Sequence, residues 1–304
     1  MKKEEVSLHR LNSLTDFHRM FGLPAPKHPL VSFINIADMR YEPNALPSSL
    51  VMDFYKVAYK TNICGHAKYG QHYYDFGEGG LVYTSPGQVF ESPDGSPTEG
   101  CMLLFHPDFL LSYQLAKSIR SYGYFSYAAN EALHLSEQER KTIMTVFNII
   151  DEELNSRIDD FSQDVIISQL ELMLNYSNRF YKRQFITRKA VVREQLQKIE
   201  MIIDAYFNQN QAVTNGLPSV QYLADQMNLS PNYLSDMLRA LTGQNAQQLI
   251  QQRLIEKGKE LLSTSNRSVA EIAYLLGFEH PQSFTRLFKN KVKLSPVAFR
   301  LSFN

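Results

Sequence analysis

The spacing of hydrophobic positions changes near residue 136. Between residues 30 and 105, short apolar and β-branched runs alternate with turns rich in glycine and proline. This pattern predicts short strands in a small barrel or sandwich. The predicted strands cover residues 31–36, 53–59, 71–76, 81–84, 88–90 and 101–105. From residue 136 onward, apolar residues recur three and four positions apart, which predicts helices.

Two long amphipathic helices are predicted directly after the strands. Ser136 followed by Glu139 forms a capping box at the start of the first helix. The second helix covers roughly residues 162–183, with Ile166, Leu170 and Leu174 in phase. The apolar faces have two interpretations: they pack against the chain's own strands, or they pair with a second copy of the chain.

The C-terminal part repeats one hydrophobic pattern twice. In the first unit, Val220 begins a helix and Leu234 lies in the next one. In the second unit, Val269 and Phe284 take the same places. A long helix over residues 246–263 separates the units, and seven helices are predicted beyond a domain boundary at 184–193. Each unit is a helix, a tight turn and a second helix, which is the helix-turn-helix pattern.

The ends of these helices carry recognisable caps. Ser230 offers an N-cap, Pro231 follows at the first helical position, and Gly243 ends that helix. In the second unit, Ser268 and Glu271 form a capping box, and Gly277 turns the chain. The same geometry also occurs in helical bundles that bind no nucleic acid, so the pattern alone leaves DNA binding and assembly both open.

Charge favours the DNA interpretation. The formal net charge is +0, but residues 182–304 hold 16 Lys and Arg against 9 Asp and Glu. A basic part suits a polyanionic partner. The alternative is that this charge only solvates the surface.

The residues of the repeat resemble the DNA-binding domain of the AraC/XylS family of transcription regulators. The resemblance covers residues 219–300 and is densest over 272–278, 284–289 and 295–300. Two positions depart from it: Asn228 and Lys293 stand where the family usually has glycine. Asn tolerates a positive φ, while Lys293 is expected to carry local strain. Residues 85–89 and 105–109 resemble turns of the family's cupin-type barrel sensor.

The resemblance implies that two recognition helices enter successive major grooves of double-stranded DNA. In the second unit, base contacts are expected from Gln282, Ser283, Thr285 and Arg286, and phosphate contacts from Lys289 and Lys291. In the first unit, the matching base contacts are Asn232, Ser235 and Asp236, with Arg239 on phosphate. Asp236 either accepts a hydrogen bond from cytosine or weakens this half.

Candidate chemistry elsewhere is sparse. No nucleotide-binding, hydrolase or metal-ligand motif is present, so we expect no enzyme, cofactor or metal site. His66, His72 and His106 lack the spacing of a cupin metal site. Cys64 and Cys101 are interpreted as small buried residues, with a redox pair as the alternative. Aromatic residues of the strands either line a ligand pocket or form the core: Tyr55, Tyr59, Tyr73, Tyr83 and Phe90.

Together these observations predict an α+β protein. Residues 1–130 form a cupin-like β-barrel sensor domain, 131–185 a helical dimerisation segment, and 186–304 an all-α domain with two helix-turn-helix motifs. The expected function is a cytoplasmic homodimeric activator that binds DNA, contacts RNA polymerase and responds to a small-molecule effector. No apolar run is long enough to span a membrane. The alternative is a cupin-like binding protein or enzyme whose helices serve assembly.

Overall fold

The computed structural model describes residues 8–40, 47, 49–61, 68–69, 72–73, 79–91, 99–128, 131–157, 159–187 and 189–302. The chain divides into two compact units, Met1–Gln184 and Phe185–Asn304. Each unit has its own core and is described separately.

The first unit contains ten short strands among the described residues. They are β1 (Leu8–Leu11), β2 (Val31–Asn35), β3 (Ser49–Met52), β4 (Tyr55–Lys60), β5 (Lys68–Tyr69), β6 (His72–Tyr73), β7 (Gly80–Thr84), β8 (Val89–Glu91), β9 (Gly100–Phe105) and β10 (Leu133–His134). A five-stranded antiparallel sheet has the order β10-β7-β4-β9-β2, and a three-stranded sheet has the order β1-β3-β8. The strands β5 and β6 form a separate pair.

The five-stranded sheet has two buried faces. On one face, Ala58, Met102 and Leu104 pack with Leu50 of β3 and with Leu14 of helix α1 (Leu14–Met20). The alternate residues of β4 lie on the opposite face, because successive side chains of a strand point to opposite sides. The cupin-like barrel is not confirmed: in the described ranges the sheets stay separate, and none closes on itself.

Two long helices of the first unit, α3 (Glu137–Asn155) and α4 (Ser162–Thr187), cover the second face. The short helix α2 (Leu115–Ser118) lies between β9 and β10 in the chain. The capping box of α3 is confirmed, since the Glu139 amide donates to Ser136 Oγ at 3.3 Å and the Ser136 amide donates to the Glu139 carboxylate at 2.9 Å. Phe147 of α3 lies 5.7 Å from Phe33 of β2, ring centre to ring centre. The inner face of α3 therefore packs on its own sheet.

The second unit is all helical among its described residues. Its helices are α5 (Lys189–Asn208), α6 (Gln211–Asn215), α7 (Val220–Met227), α8 (Pro231–Thr242), α9 (Ala246–Thr264), α10 (Val269–Leu275), α11 (Pro281–Val292) and α12 (Pro296–Leu301). The prediction of seven helices is wrong by one in this range. The unpredicted helix is α6, whose five residues are too few to show a period.

Most predicted strands are confirmed within two residues, and four described strands were not predicted: β1, β3, β5 and β10. Of the strand predicted over 71–76, only His72–Tyr73 belongs to the described residues. No helix in the described ranges is both long enough and apolar enough to cross a membrane.

Candidate DNA-binding surface

The first helix pair consists of α7 and α8. Ser219 caps α7 by accepting a hydrogen bond from the Tyr222 amide at 3.0 Å, and Ala224 is fully buried where the helices cross. The turn passes through Asn228, whose φ of 53° is left-handed. A hydrogen bond closes this turn: the Leu229 amide donates to the Ala224 carbonyl at 2.9 Å. Asn228 therefore does what the sequence predicted, because its short side chain tolerates this conformation.

The helix α8 is held by one buried face. Ser230 accepts from the Tyr233 amide, Pro231 occupies the first turn, and Gly243 ends the helix with a φ of 76°. The buried face consists of Tyr233, Leu234, Met237 and Leu238. The caps and the face leave the opposite side of α8 in solvent.

The second pair, α10 and α11, repeats the hydrogen bond that closes the turn of the first pair. The Phe278 amide donates to the Ala273 carbonyl at 3.0 Å, as Leu229 does to Ala224 in the first pair. Gly277 has a φ of 91°, and a Cβ there would lie 2.6 Å from the carbonyl carbon of Gly216. Glycine alone combines a favourable positive φ with the absence of a Cβ. Gly277 therefore lets the turn pack directly against Gly216, between α6 and α7.

Glycine also seats α11 against the long helix. Phe284 and Phe288 are fully buried on α11, and a Cβ built on Gly258 of α9 would lie 3.1 Å from the Phe284 ring. Gly258 thus gives the ring its close approach. The helix ends at Lys293, whose φ of 66° is left-handed and strained for lysine.

The predicted contact residues of α11 lie on its solvent side. Gln282, Ser283 and Arg286 are exposed and Thr285 is half-buried. Lys289 and Lys291 are also exposed, and the helix carries no acidic residue. In the described part of the chain, none of its three cations forms an ion pair. The face is therefore positive and its donors are available.

The predicted contact residues of α8 share a face in the same way but differ in charge. Asn232 and Arg239 are exposed, while Ser235 and Asp236 are half-buried. The Arg239 guanidinium donates to the Asp236 carboxylate at 2.6 Å. This ion pair makes the face neutral overall. Sequence reasoning named both residues but not their contact, although opposite charges three positions apart on a helix are the signal for it.

The predicted pocket tyrosines lie in the core of the first unit. Tyr55 stacks on Phe105 with ring centres 5.1 Å apart, and Tyr83 donates to Ser177 Oγ of α4 at 2.5 Å. Tyr55, Tyr59 and Tyr83 are all buried. They occupy the sheet face that packs on the helices. The side chains of Tyr73 and Phe90 lie outside the described residues.

The histidine and cysteine candidates show no metal chemistry in the described ranges. His106 accepts from the Asp108 amide at 3.2 Å as a helix cap, whereas His66, Cys64 and the side chain of His72 lie outside the description. No group of three potential metal ligands occurs among the described residues. Burial raises the pKa of the Cys101 thiol to about 12, and nearby Asp151 adds to the effect. A neutral thiol is a poor redox nucleophile.

Comparison with known proteins bears on the second unit. A family model described as a helix-turn-helix domain matches residues 223–302. Among curated proteins, the transcriptional regulator YfiF of Bacillus subtilis is 29% identical over 50% of this chain and 44% of its own. The transcriptional activator RhaS of Escherichia coli is 35% identical over 26% of this chain and 28% of its own. The chain thus spans less than half the length of these relatives.

Solved structures match the same part of the chain. The C-terminal domain of the response regulator yesN from Fusobacterium nucleatum is 30% identical, with 34% of this chain and 95% of that domain covered and a TM-score of 0.30. The DNA-binding domain of AdpA, solved with a target DNA, is 24% identical over 34% of this chain and 91% of that chain, with a TM-score of 0.30.

The matched residues and the two capped helix pairs define a helix-turn-helix protein. More specifically, residues 223–302 match a helix-turn-helix domain of the AraC type. The resemblance to the AraC/XylS family, inferred from the sequence, is confirmed.

Proposed function

We propose that the chain is a sequence-specific DNA-binding regulator of transcription that uses both helix pairs. The observation that carries this proposal is the solvent face of α11. It presents exposed Gln282 and Ser283 and three cations that form no ion pair with any described residue, opposite a face anchored by Phe284 and Phe288.

In the second pair, α11 lies in a major groove. Arg286 donates two hydrogen bonds to guanine and Gln282 pairs with adenine, because these side chains match the donors and acceptors of those base edges. Ser283 and Thr285 contact neighbouring bases. Lys289 and Lys291 lie farther along the helix and bind phosphate, which sets register without reading sequence.

In the first pair, α8 reads the adjacent groove with less electrostatic attraction. Asn232 and Ser235 face the bases, and Arg239 reaches phosphate only after its contact with Asp236 is loosened. Successive major grooves on one face of DNA lie about 34 Å apart. The α9 helix between the pairs is the element that maintains this spacing.

The first unit supplies regulation in this proposal. It binds a small effector, and the chain acts in the cytoplasm as a homodimeric activator that contacts RNA polymerase. Support for pairing comes from α4, which keeps Val165 and Leu172 exposed, and from Phe161, which is 72% exposed just before the helix. Exposed apolar residues at helical spacing are typical of a surface that a partner covers.

The test uses the full chain and a pool of randomised duplexes. We expect repeated selection to enrich one sequence, and binding to it to fall steeply as salt rises, because bound cations displace counterions from DNA. The Arg286→Ala variant should bind the selected duplex no better than a random one. The matched control is Lys198→Ala, which removes an exposed cation of α5 and should leave selectivity intact.

Two outcomes would contradict the proposal. If selection returns no sequence and the affinity for duplex DNA does not depend on salt, the assembly role is favoured. If both variants lose selectivity equally, α11 does not read bases.

A further inference from the structure

The first unit contains a cleft that the proposed function does not use. Its volume is about 820 Å³, and it lies along β2 between the loop that follows α1 and the last turn of α3. Residues that line it include Pro24, Lys27, Phe33, Asp38, Arg40 and Leu154. A cleft of this size suits a small ligand or a short peptide.

The strand β2 turns a free edge toward this cleft. Among the described residues it is the last strand of its sheet, and it pairs there only with β9. The His106 amide donates to the Leu30 carbonyl at 2.7 Å, and the register places these two residues directly opposite each other. Hydrogen-bonded pairs alternate along antiparallel strands. Ser32 and Ile34 therefore bond to β9, and Val31, Phe33 and Asn35 turn their backbone groups outward.

The pairing of β9 with β4, on the side of β9 away from β2, gives the same assignment of outward-facing residues. The Thr61 amide donates to the Glu99 carbonyl at 2.9 Å, which makes residues 101, 103 and 105 the ones that bond to β4. The intervening residues of β9 are then the ones that bond to β2. Two independent hydrogen bonds therefore agree on which residues of β2 direct their backbone groups away from β9.

The outward groups near the middle of β2 are open. No described group bonds the backbone of Phe33 on its outer side or the amide of Asn35. Val31 is buried, whereas Phe33 is half-buried and Asn35 is exposed. The strand also lacks the lysine or proline that usually protects an exposed edge from pairing.

The buried polar side chains His18 and Ser32, which line the cleft, already have hydrogen-bond partners. The ring of buried His18 contacts Ser32 Oγ at 2.8 Å through Nε2 and the Pro24 carbonyl through Nδ1. These side-chain groups are therefore already satisfied. An extended peptide matches the cleft in a way that a polyol does not, because its amides have the spacing of a strand edge.

Both ends of the cleft carry one cation and one carboxylate. At one end, Lys27 donates to Asn155, whose amide donates to Asp151 at 2.8 Å. At the other end, Asp38 and Arg40 are exposed, and neither forms an ion pair with any described residue. This arrangement complements a ligand with an ammonium group at one end and a carboxylate at the other.

We propose that this cleft binds a short free peptide of about three to five residues, which adds to β2 as an extra strand. The five residues of β2 span about 17 Å at roughly 3.4 Å per residue. Main-chain hydrogen bonds to Phe33 and Asn35 hold the peptide, and the charged groups at the two ends of the cleft bind its termini. Such strand addition is a general mode of peptide recognition.

The first test locates the hydrogen bonds by amide hydrogen exchange. The full chain is mixed with a randomised pool of tetrapeptides whose ends are free. We expect the Phe33 and Asn35 amides to exchange at least several-fold more slowly with the pool present. The Ser32 and Ile34 amides, already bonded to β9, should not change. Unchanged exchange at Phe33 and Asn35 with a saturating pool would overturn the proposal.

The second test removes one donor. Asn35 has a φ of −79°, which proline can adopt, and its amide bonds no described backbone group, so Asn35→Pro should preserve the fold. We expect it to weaken binding of the tightest recovered peptide about three- to tenfold, the usual effect of one hydrogen bond. The matched control, Asn35→Ala, keeps the amide and should bind within about twofold of the parent chain. Equal binding by Asn35→Pro and Asn35→Ala would contradict strand addition.

The third test concerns the ends. The same tetrapeptide, acetylated and amidated, should bind at least about tenfold more weakly, since it loses both charges. Arg40→Gln should weaken the free peptide but leave the blocked one unchanged. If free and blocked peptides bind alike, the proposed ligand class is wrong. It is also wrong if a polyol such as maltose protects the Phe33 amide from exchange and the peptides do not.

Discussion

The two helix pairs of the second unit have the same interior and different surfaces. Ala224 and Ala273 are both fully buried at the helix crossing, and Leu234 and Phe284 both anchor the second helix. The outer faces diverge: α8 has one cation held by one carboxylate, and α11 has three cations and no carboxylate. Packing fixes the interior because close-packed helices tolerate few substitutions, whereas solvent leaves the outer face free to change.

The turns and helix ends exchange roles between the pairs. The first pair has Asn228 in the turn and Gly243 at the end of α8, whereas the second has Gly277 in the turn and Lys293 at the end of α11. All four have positive φ. Each pair therefore has glycine at one left-handed position and another residue at the other: Asn228, which tolerates the conformation, or Lys293, which is strained. The variants below test whether these differences matter for stability or for DNA.

The largest effect is expected in the turn of the second pair. Gly277→Ala should destabilise the second unit by about 3 kcal/mol, because the new Cβ would overlap the backbone of Gly216 and the φ of 91° is unfavourable for alanine. Asn228→Ala should cost only about 1 kcal/mol, since φ is 53° and strain is the main penalty. Urea unfolding followed by far-ultraviolet circular dichroism measures both. Equal losses would show that the contact with Gly216 is unimportant.

The next effect concerns base reading. Arg286→Ala should weaken binding to the selected duplex by about 1–3 kcal/mol, the usual value of a bidentate contact with guanine. Arg239→Ala should cost less, because Arg239 is already held by Asp236. Fluorescence anisotropy with the selected duplex and a random one measures both.

Lys291→Ala supplies the control for that experiment. As a phosphate contact, Lys291 should weaken binding to selected and random duplexes alike. If Arg286→Ala gave the same uniform loss, Arg286 would be a phosphate contact as well, and the two recognition helices would differ only in charge.

The elements that sequence predicted best are those set by local signals. Ser136 with Glu139 and Ser268 with Glu271 were recognised as capping boxes because each lies within one helical turn, and both form. Each box depends on neighbours in the chain, so a single sequence contains it. The positive φ of Asn228 and Lys293 was instead expected from the resemblance, because the AraC/XylS family usually has glycine at these two positions.

The features that it missed depend on distant contacts. The strand β1 pairs with β3 in parallel, with Leu8 opposite Ser49, and no local pattern encodes that partner. Side chains alternate between the two faces of β4, so Tyr55 and Tyr59 lie on one face and Lys56 on the other. This alternation does not reveal which face packs against the helices. The sequence therefore left a pocket and the core both open for these tyrosines, and the structure buries Tyr55 and Tyr59 in the first unit. The edge of β2 was invisible for the same reason.

The helix ends provide a smaller, reciprocal test. Lys293→Gly should stabilise the free protein by about 1 kcal/mol, because glycine adopts a φ of 66° without strain. The mirror change, Gly243→Lys, should destabilise it by a similar amount at a φ of 76°. Thermal unfolding without DNA compares them. If Lys293→Gly is neutral or destabilising, interactions of the lysine side chain offset the strain.

The smallest expected effect bears most directly on the difference between the two recognition helices. Asp236→Asn removes the carboxylate that holds Arg239 and frees this cation for phosphate. Affinity for random duplexes should rise about two- to fivefold at low salt, and the salt slope should steepen by about 0.9, the value for one added phosphate contact. The control is Asp225→Asn on α7, which removes an exposed carboxylate that accepts a hydrogen bond from Gln221, and this change should alter neither the affinity nor the slope.

Asp236 was also given a second possible role, as an acceptor of a hydrogen bond from cytosine. In that role Asp236→Asn should weaken binding to the selected duplex while it strengthens binding to random duplexes. Unchanged affinity and slope on both duplexes would show that α8 lies away from DNA, and that the two pairs differ in whether they bind at all.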